Sequence, residues 1–146
     1  MRGGKVGQYP VLNFQYRIIR SIPSLIGRLA VANRGFEASG IDAIQDGIES
    51  SRRKDDVEFL NLFDQQLADE VQHVRFANVW IKKRIERDGG RAVMALARAI
   101  AHADEAFKRI VGDGGVTYPL AEEIRREAGF SEEEISMARM IAARTR

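Results

Sequence analysis

Glu70 and His73 stand three residues apart in the run Leu67-Ala68-Asp69-Glu70-Val71-Gln72-His73-Val74. On a helix that spacing puts both side chains on one face, one turn apart, where together they can grip a metal ion. Bundle-type two-metal carboxylate proteins use this unit twice, with two further helices each adding one glutamate. The chain offers one Glu-x-x-His and one matching glutamate, Glu37. That residue sits on an otherwise mostly apolar seam, Ile26, Ala30, Asn33, Glu37, Ile41, Ile44 and Ile48. Glu-x-x-His alone is a weak motif, because glutamate is common on helix surfaces. Placement strengthens it: Glu70 lies on a second seam, Phe63, Leu67, Glu70, Val74, Ala77 and Ile81, so both carboxylates are expected to aim at the core. Halfway between Glu37 and Glu70 lie Arg53 and Lys54, inside the charged break Arg52-Arg53-Lys54-Asp55-Asp56. An antiparallel hairpin folded there brings the two glutamates to one height. Two blander pairings compete, Glu37 with Arg34 and Glu70 with His73 alone. His102 and Glu105 repeat the three-residue spacing, but nothing else positions them. Asp69 either orients a ligand from behind or is solvated.

The elements that must carry these residues are helices. A long segment runs from Ser24 to about Arg53, and a second runs to about Asp88, where Gly89-Gly90 supply a stop. A third helix spans Arg91 to Val111 and ends in Gly112-Asp113-Gly114-Gly115. Pro119 can open a shorter one through about Ala128, and Ser131 caps the last, with Glu134 placed for a capping box and Phe130 and Ile135 for a hydrophobic staple. Residues 1–23 show no helix-length pattern and read as an N-terminal arm or docking segment, leaving 24–146 as the helical domain. Strand signals are missing throughout, so the expected class is all-α.

Bulk composition narrows the chemistry. The 146 residues suffice for one domain, and 45% apolar with 30% charged residues suits a helix-rich globular chain. Cysteine is absent, so a metal must take oxygen and nitrogen ligands, which favours iron or manganese and also admits zinc. The formal charge of +2 comes from interleaved acids and bases, and the basic run at Arg52 is followed at once by Asp55 and Asp56. No nucleic-acid partner is expected. No stretch reaches the ~20 apolar residues of a membrane span, and Asn13, Gln15 and Arg17 break up the N-terminal apolar run. No membrane association and a cytoplasmic location are the default expectations.

The run Arg34-Gly35-Phe36-Glu37-Ala38-Ser39-Gly40-Ile41-Asp42, the segment Leu67 to Val74, Trp80, and Ala128-Gly129-Phe130-Ser131-Glu132-Glu133-Glu134 together resemble the C-terminal half of a ferritin-like family catalogued as domain of unknown function 455. The resemblance covers roughly residues 25 to 140. It implies a ferritin-like helical bundle in which Glu37, Glu70 and His73 match metal-ligand positions, and it brings no established substrate. Members of that family carry a preceding half with another glutamate and another Glu-x-x-His, which the segment before Pro23 is too short to hold. Either a second copy completes the bundle about a two-fold axis, or the site is incomplete; a fragment of a longer protein would look the same in sequence.

The function expected from these residues is a ferritin-like di-metal carboxylate protein, an oxidoreductase or ferroxidase-like protein holding two iron or manganese ions. It would use dioxygen or peroxide as a small oxidant, with an organic substrate unknown, and would work as a homodimer. The alternative is a non-catalytic helical scaffold or binding module with a structural or vestigial metal site.

Overall fold

The computed structural model describes residues 13–111 and 118–144, and every regular element in them is helical. In chain order these are α1 (Asn13–Ser21), α2 (Leu25–Leu29), a π-helical segment (Ala30–Glu37), α3 (Ala38–Arg53), α4 (Val57–Asp88), α5 (Gly90–Val111), α6 (Glu122–Glu127) and α7 (Glu132–Arg144). Leu25 to Arg53 is thus one continuous helical rod, as its periodicity predicts, but its middle is wound wider than an α-helix. The Ala38 N–H reaches the Asn33 carbonyl five residues back, the bond that defines π winding. The apolar pattern carries no sign of this, because seam steps of three and four residues tolerate one wide turn.

Local chemistry explains the ends of the rods. Ser24 accepts a hydrogen bond from the Gly27 N–H at 3.2 Å and starts α2. Arg53 ends α3, and Asp55 turns the chain with φ +52°. Asp56 then caps α4 by accepting from the Phe59 N–H at 3.2 Å. The hairpin folds where the charged break places it. At the far end Gly89, φ +56°, takes a conformation that side chains resist, and α4 stops. The expected glycine-rich end of α5, Gly112 to Gly115, lies outside the described residues.

Two features depart from the sequence expectations. Residues 13–21 of the expected arm are a helix, and its Ile18, with Ile22 just beyond, packs against Val31, Ala99 and Ala103 in a buried cluster. Arg17 and Gln15 fall on either side of Ile18 around the helix, Arg17 exposed and Gln15 half-buried, so they flank the buried strip rather than interrupt it. The second departure is at Pro119, which opens no helix. α6 begins only at Glu122, because Asp42 on α3 accepts the Ala121 N–H at 3.0 Å and sets where the turn starts. The Ser131 capping box forms as expected: Ser131 N–H donates to Glu134 Oε2 at 2.8 Å, and Glu134 N–H donates to Ser131 Oγ at 3.3 Å. Ile135 behind it is buried and Phe130 half-buried.

α3 and α4 lie antiparallel, and two further apolar clusters hold the hairpin. Ile26, Ala30, Ala77, Ile81 and Ala92 join the near end of the rod to α4 and α5. Ala38, Ile41, Val71, Val74 and Ala128 join the α3–α4 centre to α6. Each fully buried isoleucine contributes roughly 1.5–3 kcal/mol, and the small alanines let the helices approach closely. Gly27 shows how closely: a Cβ there would stand 2.6 Å from the Ala99 Cβ. No helix of the described residues is long and apolar enough to cross a membrane.

Candidate metal centre

Beside the second of these clusters, immediately before Ala38 and Val71, the seams carry Glu37 and Glu70 instead of apolar residues. The hairpin brings them to the same height, and His73 follows one turn after Glu70. One ligand atom from each of Glu37, Glu70 and His73 lies within 4.8 Å of the other two, the one such group of three His, Asp or Glu side chains among the described residues. His73 Nδ1 is 4.0 Å from Glu37 Oε1 and 3.7 Å from Glu70 Oε2. Both separations are beyond hydrogen-bond range and leave room for an ion among the three.

Each carboxylate is treated differently. Glu37 is the last residue of the π segment, and Asn33 one turn earlier donates to its Oε2 at 2.5 Å, which leaves Oε1 facing His73. Glu70 Oε2 is buried and accepts no hydrogen bond. Burial, then the neighbouring Glu37 charge, push the Glu70 carboxyl above the usual carboxylate range, while His73 draws it back. Asp69 adds to the upward push through its charge but makes no hydrogen bond to the three. A crowded, half-desolvated carboxylate pair with a free oxygen is what a divalent cation relieves.

The cluster is less enclosed than the seams imply. The Glu70 and Glu37 side chains are 22% and 30% exposed, and the His73 side chain is 59% exposed. The reason is geometric: His73 emerges where the core face of α4 gives way to its outer face, which no other described element covers.

The surrounding side chains were not legible as a set. Arg34, which could have neutralised Glu37, turns away to pair with Glu134 on α7 and lies over the Phe130 ring, 4.8 Å from its centroid. Asp42, just over one turn beyond Glu37, is buried against Arg125, with Nη2 to Oδ2 at 2.6 Å and Nε to Oδ1 at 3.0 Å. Arg125 also donates to the Ala38 carbonyl at 3.1 Å and so clamps the first turn after the π segment. His102 and Glu105 do not converge. His102 Nε2 meets Ser21 Oγ at 2.7 Å, and Glu105 pairs with Arg109.

No curated protein and no solved structure matches the chain. The family match runs over residues 2–136, and so extends through the N-terminal segment that the motif resemblance left out. With nearly its whole length matched, the chain belongs to the protein family of unknown function DUF455.

Proposed function

We propose that Glu37, Glu70 and His73 are the ligands of a carboxylate-rich metal centre in a ferritin-like helical protein, and that the centre serves an oxidoreductase or ferroxidase-like activity. The observation that carries this is the buried Glu70 oxygen that accepts no hydrogen bond, within reach of Glu37 on the facing rod and of His73 one turn on along its own helix. Two carboxylates and one imidazole suit iron or manganese, and also accept zinc. Iron or manganese, when bound, would supply one-electron exchange with dioxygen or peroxide.

The chain's own residues do the positioning. Asn33 fixes one Glu37 oxygen and leaves the other for the ion. The π winding ends at Glu37, and widened turns of this kind recur at functional sites. The exposed side of His73 gives small oxidants access.

Three donors are fewer than the two glutamates and two Glu-x-x-His pairs of a full two-metal set. One chain alone therefore favours a second reading, a single structural ion in a non-catalytic scaffold. Metal analysis after loading with iron(II) or manganese(II) tests the proposal. Stoichiometric metal in the wild type and none in Glu70→Ala is the expected result; equal loading in both would assign the site to other residues.

A further inference from the structure

The outer face of α4 is a stripe with exposed apolar residues at both ends and the proposed ligand His73 between them. Leu62, Phe76 and Trp80 are 55%, 57% and 50% exposed. With Gln66, Asp69 and His73 they recur at alternating steps of four and three residues, the spacing of a helix that packs along another helix. The Phe76 and Trp80 rings lie 6.0 Å apart and form a continuous aromatic patch one turn beyond His73.

Charge along this face is polarised about His73. The first half of α4, residues 57–70, carries acids and no base, with Glu58 and Asp69 on the stripe side. Beyond His73 the stripe continues into Lys83, Arg84 and Arg87. Arg84 and Arg87 touch Asp88 of their own chain and retain further N–H donors, and Lys83 lies over Trp80. A parallel pair of such helices would set acid on acid and base on base. An antiparallel pair sets each acidic end on a basic end.

We propose that this face binds a second copy of the same chain, α4 against α4, antiparallel, about a two-fold axis beside Gln72 and His73. In that register Glu58 faces Arg87 of the second copy, and Leu62 lies under the aliphatic stem of Lys83 of the second copy. Neighbouring helix axes 8–10 Å apart then bring the two Glu37, Glu70 and His73 clusters together across the axis. The completed set has two glutamates and two Glu-x-x-His pairs. That last step rests on the metal-centre reading; the contact itself rests on the stripe and the charge.

Sedimentation equilibrium of the full chain, with and without manganese(II), tests this. A dimer is expected in the micromolar range. Arg87→Glu sets acid against Glu58 at both symmetry-related positions and should raise the dimer dissociation constant about tenfold at low salt. The double variant Glu58→Arg with Arg87→Glu should return it to within about twofold of wild type. Glu58 and Arg87 are both exposed and stand about 43 Å apart along one helix at 1.5 Å per residue, so only contact between copies can produce the rescue. A monomer at all concentrations, or a double variant no better than the single one, overturns the proposal and gives the face to a different occupant. Metal bound to a monomer overturns the contact and spares the metal centre. A rescued dimer that binds neither manganese(II) nor iron(II) nor zinc(II) supports the contact and removes the metal reading.

Discussion

Two acids on the same helical rod, Glu37 and Asp42, lie just over one turn apart and serve opposite ends. Asp42 is 8% exposed, and both its oxygens are taken, by the fork of Arg125 and the Ala121 N–H. Glu37 faces Glu70, a second carboxylate, which has an unpartnered buried oxygen and an exposed histidine beside it. Every charge at Asp42 is answered within the chain, so that cluster pins α6 to α3. The charges at Glu37 and Glu70 are left for something from outside. A buried carboxylate by itself therefore does not mark a site; one whose geometry keeps cations of the chain away does. Arg34 shows this directly, because Glu134 and Phe130 hold it clear of Glu37.

The largest effect should come from breaking the satisfied cluster. Asp42→Ala leaves the Arg125 guanidinium buried without its partner and should cost about 3–5 kcal/mol in urea denaturation. The loss should be the same with and without metal. A loss under about 1 kcal/mol would mean that water replaces the carboxylate and that the two clusters are not opposites.

The unsatisfied cluster should respond to metal instead. With free manganese at about 100 times its dissociation constant, wild type should gain about 2.7 kcal/mol, and Glu70→Ala should gain nothing in the same melting curves. Without metal, Glu70→Gln should be at least as stable as wild type at neutral pH. A carboxyl held above its usual range is destabilised in its charged form by the fold, and the amide removes that charge. A clear loss on Glu70→Gln in the apoprotein would instead make Glu70 a structural acid like Asp42.

Glu134 should fall between the two. Burial pushes its carboxyl up, but the Ser131 N–H and Arg34 outweigh that and hold it below the usual range. A depressed carboxylate contributes stability that is present above its unfolded pKa and is lost as pH falls through its folded one. Glu134→Gln should therefore cost about 1 kcal/mol at pH 7, the usual value of a cap, and the difference from wild type should close as the solution is acidified. A difference that stayed constant with pH would show that packing, not charge, sets the role of Glu134.

The hairpin was legible because both of its rods repeat apolar residues at three and four and share a charged break, so the height match of Glu37 and Glu70 followed from counting. Ser131 and Glu134 were legible because a capping box is local. The π segment was not, since an i to i+5 bond leaves no mark on a tolerant seam. Asp42 with Arg125 was not either: the pair joins positions 83 residues apart, and nothing local distinguishes Asp42 from a solvated helix acid. The first helix was hidden by its shortness, since nine residues with Gln15 and Arg17 among the apolar ones span too few turns to show a period.

The smallest effect belongs to His102, the histidine that shares its spacing with the proposed ligand pair. Ser21 donates its hydroxyl proton to the Ile18 carbonyl at 2.7 Å, so the 2.7 Å contact with His102 requires the imidazole Nε2 to carry the proton and the hydroxyl oxygen to accept it. This ties the end of α1 to α5 and fixes the ring toward Ser21. Glu105, the only acid at metal-binding spacing from it, is drawn to Arg109 one turn further on. His102→Ala thus removes one exposed hydrogen bond, worth about 0.5–1 kcal/mol, and should leave manganese or iron loading unchanged. His73→Ala should do the reverse, with little change in apoprotein stability and a large drop in bound metal, because its ring is mostly exposed and stands 3.7 Å and 4.0 Å from the two carboxylates. Metal content and melting curves measured side by side on the two variants sharpen the comparison to one residue type. If His102→Ala lowers metal loading as much as His73→Ala, then spacing along a helix was never the discriminating feature, and the convergence on facing seams loses its force.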